Sequence, residues 1–323
     1  MFRYFARRLL WAVVLLLAVT MVTYVIFFLV PANPARLAAG QSATPERIKE
    51  VEEFLGLNEP VYVQYAKFLQ RLVLKGELGH SFITRRSVNA DIYDAAPVTA
   101  SLVFGGMILV LLVAVPIGIF SALRPRSLID RAAMIYVLIG ISLPSFWIAL
   151  VLSYVVGYRL GLTPIATYCE VFSPPEATGC GGLVDWAYHM ILPWTALAIV
   201  VAGTYVRFVR AEVLETMSQD YVRTARAKGA PESRVMSRHI LRNGMLPVVT
   251  MLGMDIGLLL GGAIFIETVF ALPGLGRTAI LSVGQFDLPV LQGVVIFGAV
   301  AIVIFNLLVD IVYAWIDPRI RLT

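Results

Sequence analysis

Charge is scarce in this sequence. Asp, Glu, Lys and Arg make up 15% of 323 residues, and hydrophobic residues 59%. A soluble domain is about a quarter charged. Mean hydropathy is +0.82, so a bilayer rather than a water-excluded core must hide most of the apolar surface. Chemistry-bearing motifs are missing as well. There is no G-x-x-x-x-G-K-[ST] loop, no H-E-x-x-H and no G-x-S-x-G. The chain therefore lacks a P-loop, and enzyme activity of its own is not expected. Gly274 and Gly276 form a lone G-x-G, too weak a pattern for a nucleotide site. His80, His189 and His239 are widely separated. The two cysteines, Cys169 and Cys180, fit no metal pattern, and no cofactor or metal is expected. Net charge is +5, yet no basic cluster is interleaved with aromatics for base stacking, so nucleic acid is not an expected partner. The bland source of that charge is a basic cytoplasmic face.

What the sequence does have is apolar length. About 20 apolar residues cross about 30 Å of hydrocarbon. Six stretches qualify: 9–30, 98–122, 132–156, 190–209, 246–270 and 289–315. The first follows Arg3, Arg7 and Arg8, but its run exceeds the core of a signal peptide, about 7–15 residues, and reads as a retained span. Arg and Lys gather in the start, in 123–131, in 210–245 and in the tail, while the short loops between hold only Arg159 and Arg277. Both termini are therefore expected in the cytoplasm. The fold class expected is an all-α membrane protein with six transmembrane helices. Residues 1–96 form the first helix plus a small extracytoplasmic helical segment, and 97–323 a five-helix core. Cys169 and Cys180 then share an outer loop rich in Pro and Gly, in an oxidising compartment, where a disulfide is expected over two free thiols.

The outer segment carries its own helix signals. Thr44-Pro45 reads as a cap and first-turn proline. Ile48, Val51, Phe54 and Leu55 follow at helical spacing. A second start at Pro60 precedes Val61, Tyr65, Phe68, Leu69 and Leu72, which form one apolar face. Two short amphipathic helices are expected. They either stabilise the outer rim or help to dock an external partner.

The long basic loop is the most informative segment. Tyr221 to Lys228 is a basic helical stretch, Gly229 interrupts it, and Pro231 suits the start of a second short helix with Val235, Ile240 and Leu241 on its apolar side. A positive-inside loop accounts for the charge but not for two helices broken at a glycine. Here the sequence resembles the permease subunits of dipeptide and oligopeptide ABC importers. FRYFARRLL and PANP near the start, GELGHS at 76–81, DYVRTARAKG at 220–229, HILRNGMLPVVT at 239–250, ETVFALPGLG at 267–276 and DPRIR at 317–321 carry the likeness nearly end to end. GELGHS has Glu77 where the family's D-L-G-x-S element usually has Asp.

The resemblance implies a type I ABC importer permease fold, with a coupling loop at 210–245. Its short helix would fit a groove on an ATPase subunit. In the general E-A-A-x-x-x-G signature of such importers, this chain has Arg223, Thr224, Ala225 and Gly229. Only the second alanine and the glycine match, and Leu246-Pro247 lies further along than in the general signature. Tyr221, Arg223, Thr224, Ala225, Arg226, Lys228 and Gly229 are the coupling candidates. Ala225 is small enough for close approach, Arg226 and Lys228 can pair with acids on a partner, and Gly229 supplies a turn that a Cβ would resist. The partners implied are a second homologous permease, two cytoplasmic ATPases holding ATP and Mg, an extracytoplasmic substrate-binding protein and a peptide substrate. Other cargoes of the same branch are nickel chelates, glutathione or a sugar. An ion-driven secondary transporter should show an inverted repeat, and none is apparent.

Gly253, Gly257 and Gly261 make a smooth stripe for close helix contact, either within the subunit or near the axis of two permeases. Asp255, Glu267 and Asp310 fall in or at the edges of spans. Ionisable groups there face the bundle interior or water. Asp255 is a candidate to line or brace the pathway, with Glu267 near the outer surface and Asp310 near the inner one. Structural pairing is the competing role for each.

Overall fold

The computed structural model describes residues 2–26, 34–39, 43–55, 58–172 and 180–316. Among these residues the chain is helical, and the only strand-like pairing is one bridge between His80 and Ser87. Helix α1 is Phe2–Tyr24, and α2 is Pro34–Ala39. Helices α3 (Pro45–Leu55) and α4 (Val61–Lys75) begin where Pro45 and Pro60 signalled. PANP at 31–34 lies mainly, and DPRIR wholly, outside the described residues.

Helix α4 rests on the bundle through its apolar face. Phe68 is buried with Tyr24 of α1, and Tyr65 and Leu72 pack beside them. Val61, expected on that face, is exposed at the helix start. Gly76, in the left-handed region, ends α4 and turns the chain into GELGHS.

Helices α5 (Val88–Leu123) and α8 (Gly182–Met217) have 36 residues each, about 54 Å of helix. They run parallel along most of their length because glycines on α5 admit large side chains of α8. A Cβ at Gly105 would lie 2.1 Å from the Trp194 ring, and one at Gly118 2.7 Å from Val209. Between them, α6 (Leu128–Ser142) runs back along α8, with Gly140 facing Gly203.

The third expected span is bent. Helix α7 (Ser145–Leu152) leaves α6 at 105°, and a π-helical turn, Ser153–Arg159, extends it. Pro144 stands at the bend, where it disfavours helical geometry in the residue before it. By length and composition four helices can cross a membrane unaided, in α1, α5, α8 and 288–312, and the bent pair makes a fifth.

The fifth expected stretch, 246–270, is divided. Helix α11 (Leu246–Leu259) has 14 residues, about 21 Å, short of a full crossing. Beyond its end the chain turns at Gly262, which has φ +127° and lies so close to Gly276 that an added Cβ would approach its backbone to 2.6 Å. Short helices α12 (Ile264–Val269) and α13 (Leu275–Gln285) follow. The last span, α14 (Leu288–Ile316), returns antiparallel to α11. Two helices of the basic loop complete the order: α9, Asp220–Ala227, and α10, 232–244, the latter π-helical at its centre.

Candidate coupling site and span residues

Helix α9 is one face buried and one face open. Val222 is fully buried, and Ala225, one turn on, packs against the same core. That core also holds Val235 and Ile240 of α10, Val209 and Val213 of α8, Ala122 of α5 and Ala133 of α6. The open face carries Tyr221, Arg223, Thr224, Arg226, Ala227 and Lys228. Ala225 thus turns towards its own subunit, and Thr224 and Ala227 are the small residues left to approach a neighbour.

Gly229 ends α9 with φ +75°. Its N–H donates to Arg226 O at 2.9 Å, and Ala230 N–H to Ala225 O at 3.3 Å. This is the paired-bond stop in which glycine avoids the Cβ penalty of the left-handed region. No atom lies within 4 Å of a Cβ built there, so the requirement is conformational rather than steric. Pro231 follows and caps α10, whose Val235 and Ile240 point inward as their spacing indicated.

Arg226 does not face outward alone. It grips Glu232 with two hydrogen bonds, 2.6 and 3.1 Å, across the α9–α10 turn. That bond holds the exposed Glu232 carboxyl below the ordinary range and raises Arg226. Lys228 makes no ion pair among the described residues, and Arg223 stands 3.6 Å from Asp220 with both exposed.

At the root of this loop lies a cluster that composition and periodicity did not single out. Asp130, in the first turn of α6, is buried. Its Oδ1 accepts from Arg210 Nε at 2.7 Å and from the Ser121 hydroxyl. Its Oδ2 accepts from Arg210 Nη2 at 3.1 Å and from Arg126 N–H at 2.8 Å. Arg126 holds φ +65° in the turn that joins α5 to α6. The local signal was Ser127-x-x-Asp130, a helix-start pattern, and Ser127 Oγ indeed accepts from Asp130 N–H at 3.2 Å. Nothing local names Arg210.

The other acids part company. Asp255 is half-buried on α11 and accepts one hydrogen bond, 2.8 Å, from the hydroxyl of Tyr205 on α8. Asp310 pairs with Arg8 of α1. Glu267 is fully buried. It accepts from the Thr99 hydroxyl at 2.8 Å and from Arg277 N–H at 3.0 Å, with Ala263 N–H at 3.4 Å. Thr99 Oγ1 in turn accepts from Leu275 N–H at 2.8 Å. Glu267 therefore offers no surface to a pathway and instead ties α5 to the 263–277 turn. The glycines of ETVFALPGLG make its room, since a Cβ at Gly274 would lie 2.5 Å from the carboxylate.

The glycine stripe is spent inside the subunit. A Cβ at Gly253 would strike Val309, one at Gly257 would sit 3.0 Å from Ile302 Cα, and Gly261 faces Gly298. Of the two roles open to it, the stripe takes close packing of α11 on α14.

Cys169 and Cys180 form the disulfide, across a separation of 11 residues. His189 Nδ1 lies 3.3 Å from Cys169 Sγ and 2.8 Å from Asp185 O. Cys169, Cys180 and His189 bring ligand atoms within 4.8 Å of one another, but the sulfurs are bonded to each other and offer no thiolate. GELGHS is fastened too. Asp287 accepts from the Ser81 hydroxyl, and from Phe82 N–H at 2.9 Å.

Comparison with known proteins places the whole arrangement. Residues 114–322 match the family described as binding-protein-dependent transport system inner membrane component, and residues 1–103 match its N-terminal companion. The chain is 36% identical to a dipeptide transport system permease protein of Alkalihalophilus pseudofirmus, over 99% of this chain and 100% of the relative. It is 36% identical to an oligopeptide transport system permease protein of Bacillus subtilis, covering 98% and 99%. It is 38% identical to a glutathione transport system permease protein of Salmonella paratyphi A, covering 99% of each. The all-α, multi-span architecture with a short helix pinned at the root of two long spans is therefore the type I ABC importer permease fold, and this chain belongs to the family of inner membrane components of binding-protein-dependent transport systems.

Proposed function

We propose that this chain is a permease subunit of an ATP-driven peptide importer, and that α9 is its coupling helix. One observation carries the reading. Helix α9 is anchored to its own bundle by Val222 and stopped by Gly229, yet it leaves Tyr221, Arg223, Thr224 and Lys228 open. A helix fixed on one face and free on the other can receive a push and pass it inward. The chain itself is non-catalytic. ATP and Mg reside on two ATPase subunits, a second homologous permease completes the pathway, and a binding protein delivers peptide on the far side. Both termini and the 210–245 loop lie in the cytoplasm, as the Lys and Arg distribution implies.

Transport proceeds by alternating access. ATP binding closes the ATPases, α9 follows, and the bundle opens outward to receive peptide. Asp255, half-buried in a span and held by one hydroxyl, is the pathway candidate, because ionisable groups within spans face the bundle interior or water. Relatives that carry dipeptides, oligopeptides and glutathione by name support a peptide cargo.

The test uses the assembled transporter in liposomes. Gly229→Val must force a β-branched residue into the left-handed region, so uptake per ATP hydrolysed should fall severalfold with the complex still assembled. Gly229→Asn, which tolerates that region, should retain coupling. Full coupling in Gly229→Val would remove α9 from the role.

A further inference from the structure

The Asp130–Arg210 cluster stands where the proposed coupling loop meets the membrane bundle. Arg210 is the last basic residue of α8, ten residues ahead of Asp220, where α9 begins. Its fork closes on a carboxylate whose side chain is 8% exposed. The same carboxylate takes the Ser121 hydroxyl from the end of α5 and the Arg126 N–H from the turn between α5 and α6. One carboxylate thus binds three helices at one level. Two-toothed guanidinium–carboxylate contacts fix orientation as well as distance. Arg126, a residue with a Cβ, is held in the left-handed region to aim its N–H at Asp130. Strain of that kind persists where the surroundings over-determine it, and it clusters at working parts of proteins.

Position decides between a brace and a joint. Val209 and Val213 flank Arg210 on α8 and share one buried core with Val222 of α9 and with Val235 and Ile240 of α10. Helix α10 ends close against α8: a Cβ added at Gly244 would lie 3.0 Å from Thr216 Oγ1 and 3.4 Å from Glu212 O. Displacement of α9 therefore reaches α8 through packed side chains, next to Arg210. Apolar packing can slide; the Arg210 fork cannot do so without leaving a buried carboxylate unpaired, which is costly.

We infer that Asp130 and Arg210 are positioning residues for transport: their ion pair, with Ser121, is the joint that carries movement of the coupling helix into α5 and α6. This rests on α9 being that helix. The chemistry of ATP and the binding of peptide lie elsewhere, so the joint sets how much hydrolysis becomes movement.

The experiment measures uptake and ATP hydrolysis together in liposomes holding the complete transporter. Asp130→Asn and Arg210→Gln should each lower uptake per ATP about tenfold, within the usual span of coupling energies, while hydrolysis continues. The double variant should be no worse than either single one, because both remove one interaction. Ser121→Ala, which leaves the ion pair whole, should give a smaller loss and serves if the charge variants fail to assemble. A brace alone would lower the amount of assembled complex and leave uptake per ATP unchanged in all of these variants. That result would overturn the joint. Gly229→Val separates the two claims: if it uncouples and the Asp130 and Ser121 variants do not, the joint fails alone; if none uncouples, the reading of α9 fails with it.

Discussion

Buried carboxylates at both ends of the bundle take backbone N–H groups and hydroxyls, and at one end a guanidinium from another helix is added. Glu267 and Asp287 take N–H groups from the turns around them and hydroxyls from Thr99 and Ser81. The disulfide lies among the loops of the same end. Such contacts fasten loops to helices and leave few ways to move. Asp130 has one hydroxyl and one N–H of this kind, but it also meets a long side chain from another helix, beside a loop whose polar face is open. The end with Glu267 and Asp287 reads as a fixed rim. The end with Asp130 reads as a hinge with a handle, α9, attached to it.

The largest effect on this contrast should come from emptying the rim. Glu267→Ala would leave the Thr99 hydroxyl and the N–H groups of Arg277 and Ala263 without their acceptor. Each orphaned buried donor costs about 1–3 kcal/mol, so the loss should be on the order of 3 kcal/mol or more. Thermal unfolding in detergent would show it, and Glu267→Gln should fall between. A small loss would mean that water reaches the 263–277 turn.

Opening the disulfide should come next. Closing a loop of this length stabilises by about 2–3 kcal/mol in the chain-entropy picture. Cys169→Ser with Cys180→Ser should lower the unfolding temperature and leave uptake per ATP unchanged, as befits a rim. Loss of coupling in that variant would blur the distinction between the two ends.

The smallest effect belongs to the handle. Glu232 titrates below its ordinary value because Arg226 binds it. A carboxyl lowered on folding contributes order that is present above its unfolded value, about 4.3, and is lost as pH falls through the lower folded value. A spin label on Thr224→Cys should therefore gain mobility only in acid below that range. Adding Glu232→Gln should make mobility independent of pH.

How far these features could be read beforehand depended on their range. Pro45 and Pro60 announced α3 and α4 because first-turn signals are local. Gly229 announced its turn for the same reason. Pro144 disfavours a straight helix for local reasons, but the 105° it permits is set by how α7 packs on α8 and α12. The stripe at Gly253, Gly257 and Gly261 showed that something approaches closely, and only the fold named α14 as the visitor. Ala225 matched a signature by position, yet helical phase relative to Val222 turns it inward. Glu267 was legible as an acid at a span edge; its burial depends on Thr99, 168 residues away. Asp130 and Arg210 are 80 residues apart, and no local pattern joins them.

The most direct measurement asks what touches α9. The sequence has two cysteines, both in the disulfide, so Thr224→Cys introduces a lone free thiol. In membranes with the cytoplasmic face exposed, a short thiol-to-amine cross-linker should join that residue to an ATPase subunit. The product should vanish when the ATPases are absent, and Tyr93→Cys, exposed at the opposite end, should yield none. A Thr224→Cys thiol that reacts only from the outside, and that never joins an ATPase, would contradict the account.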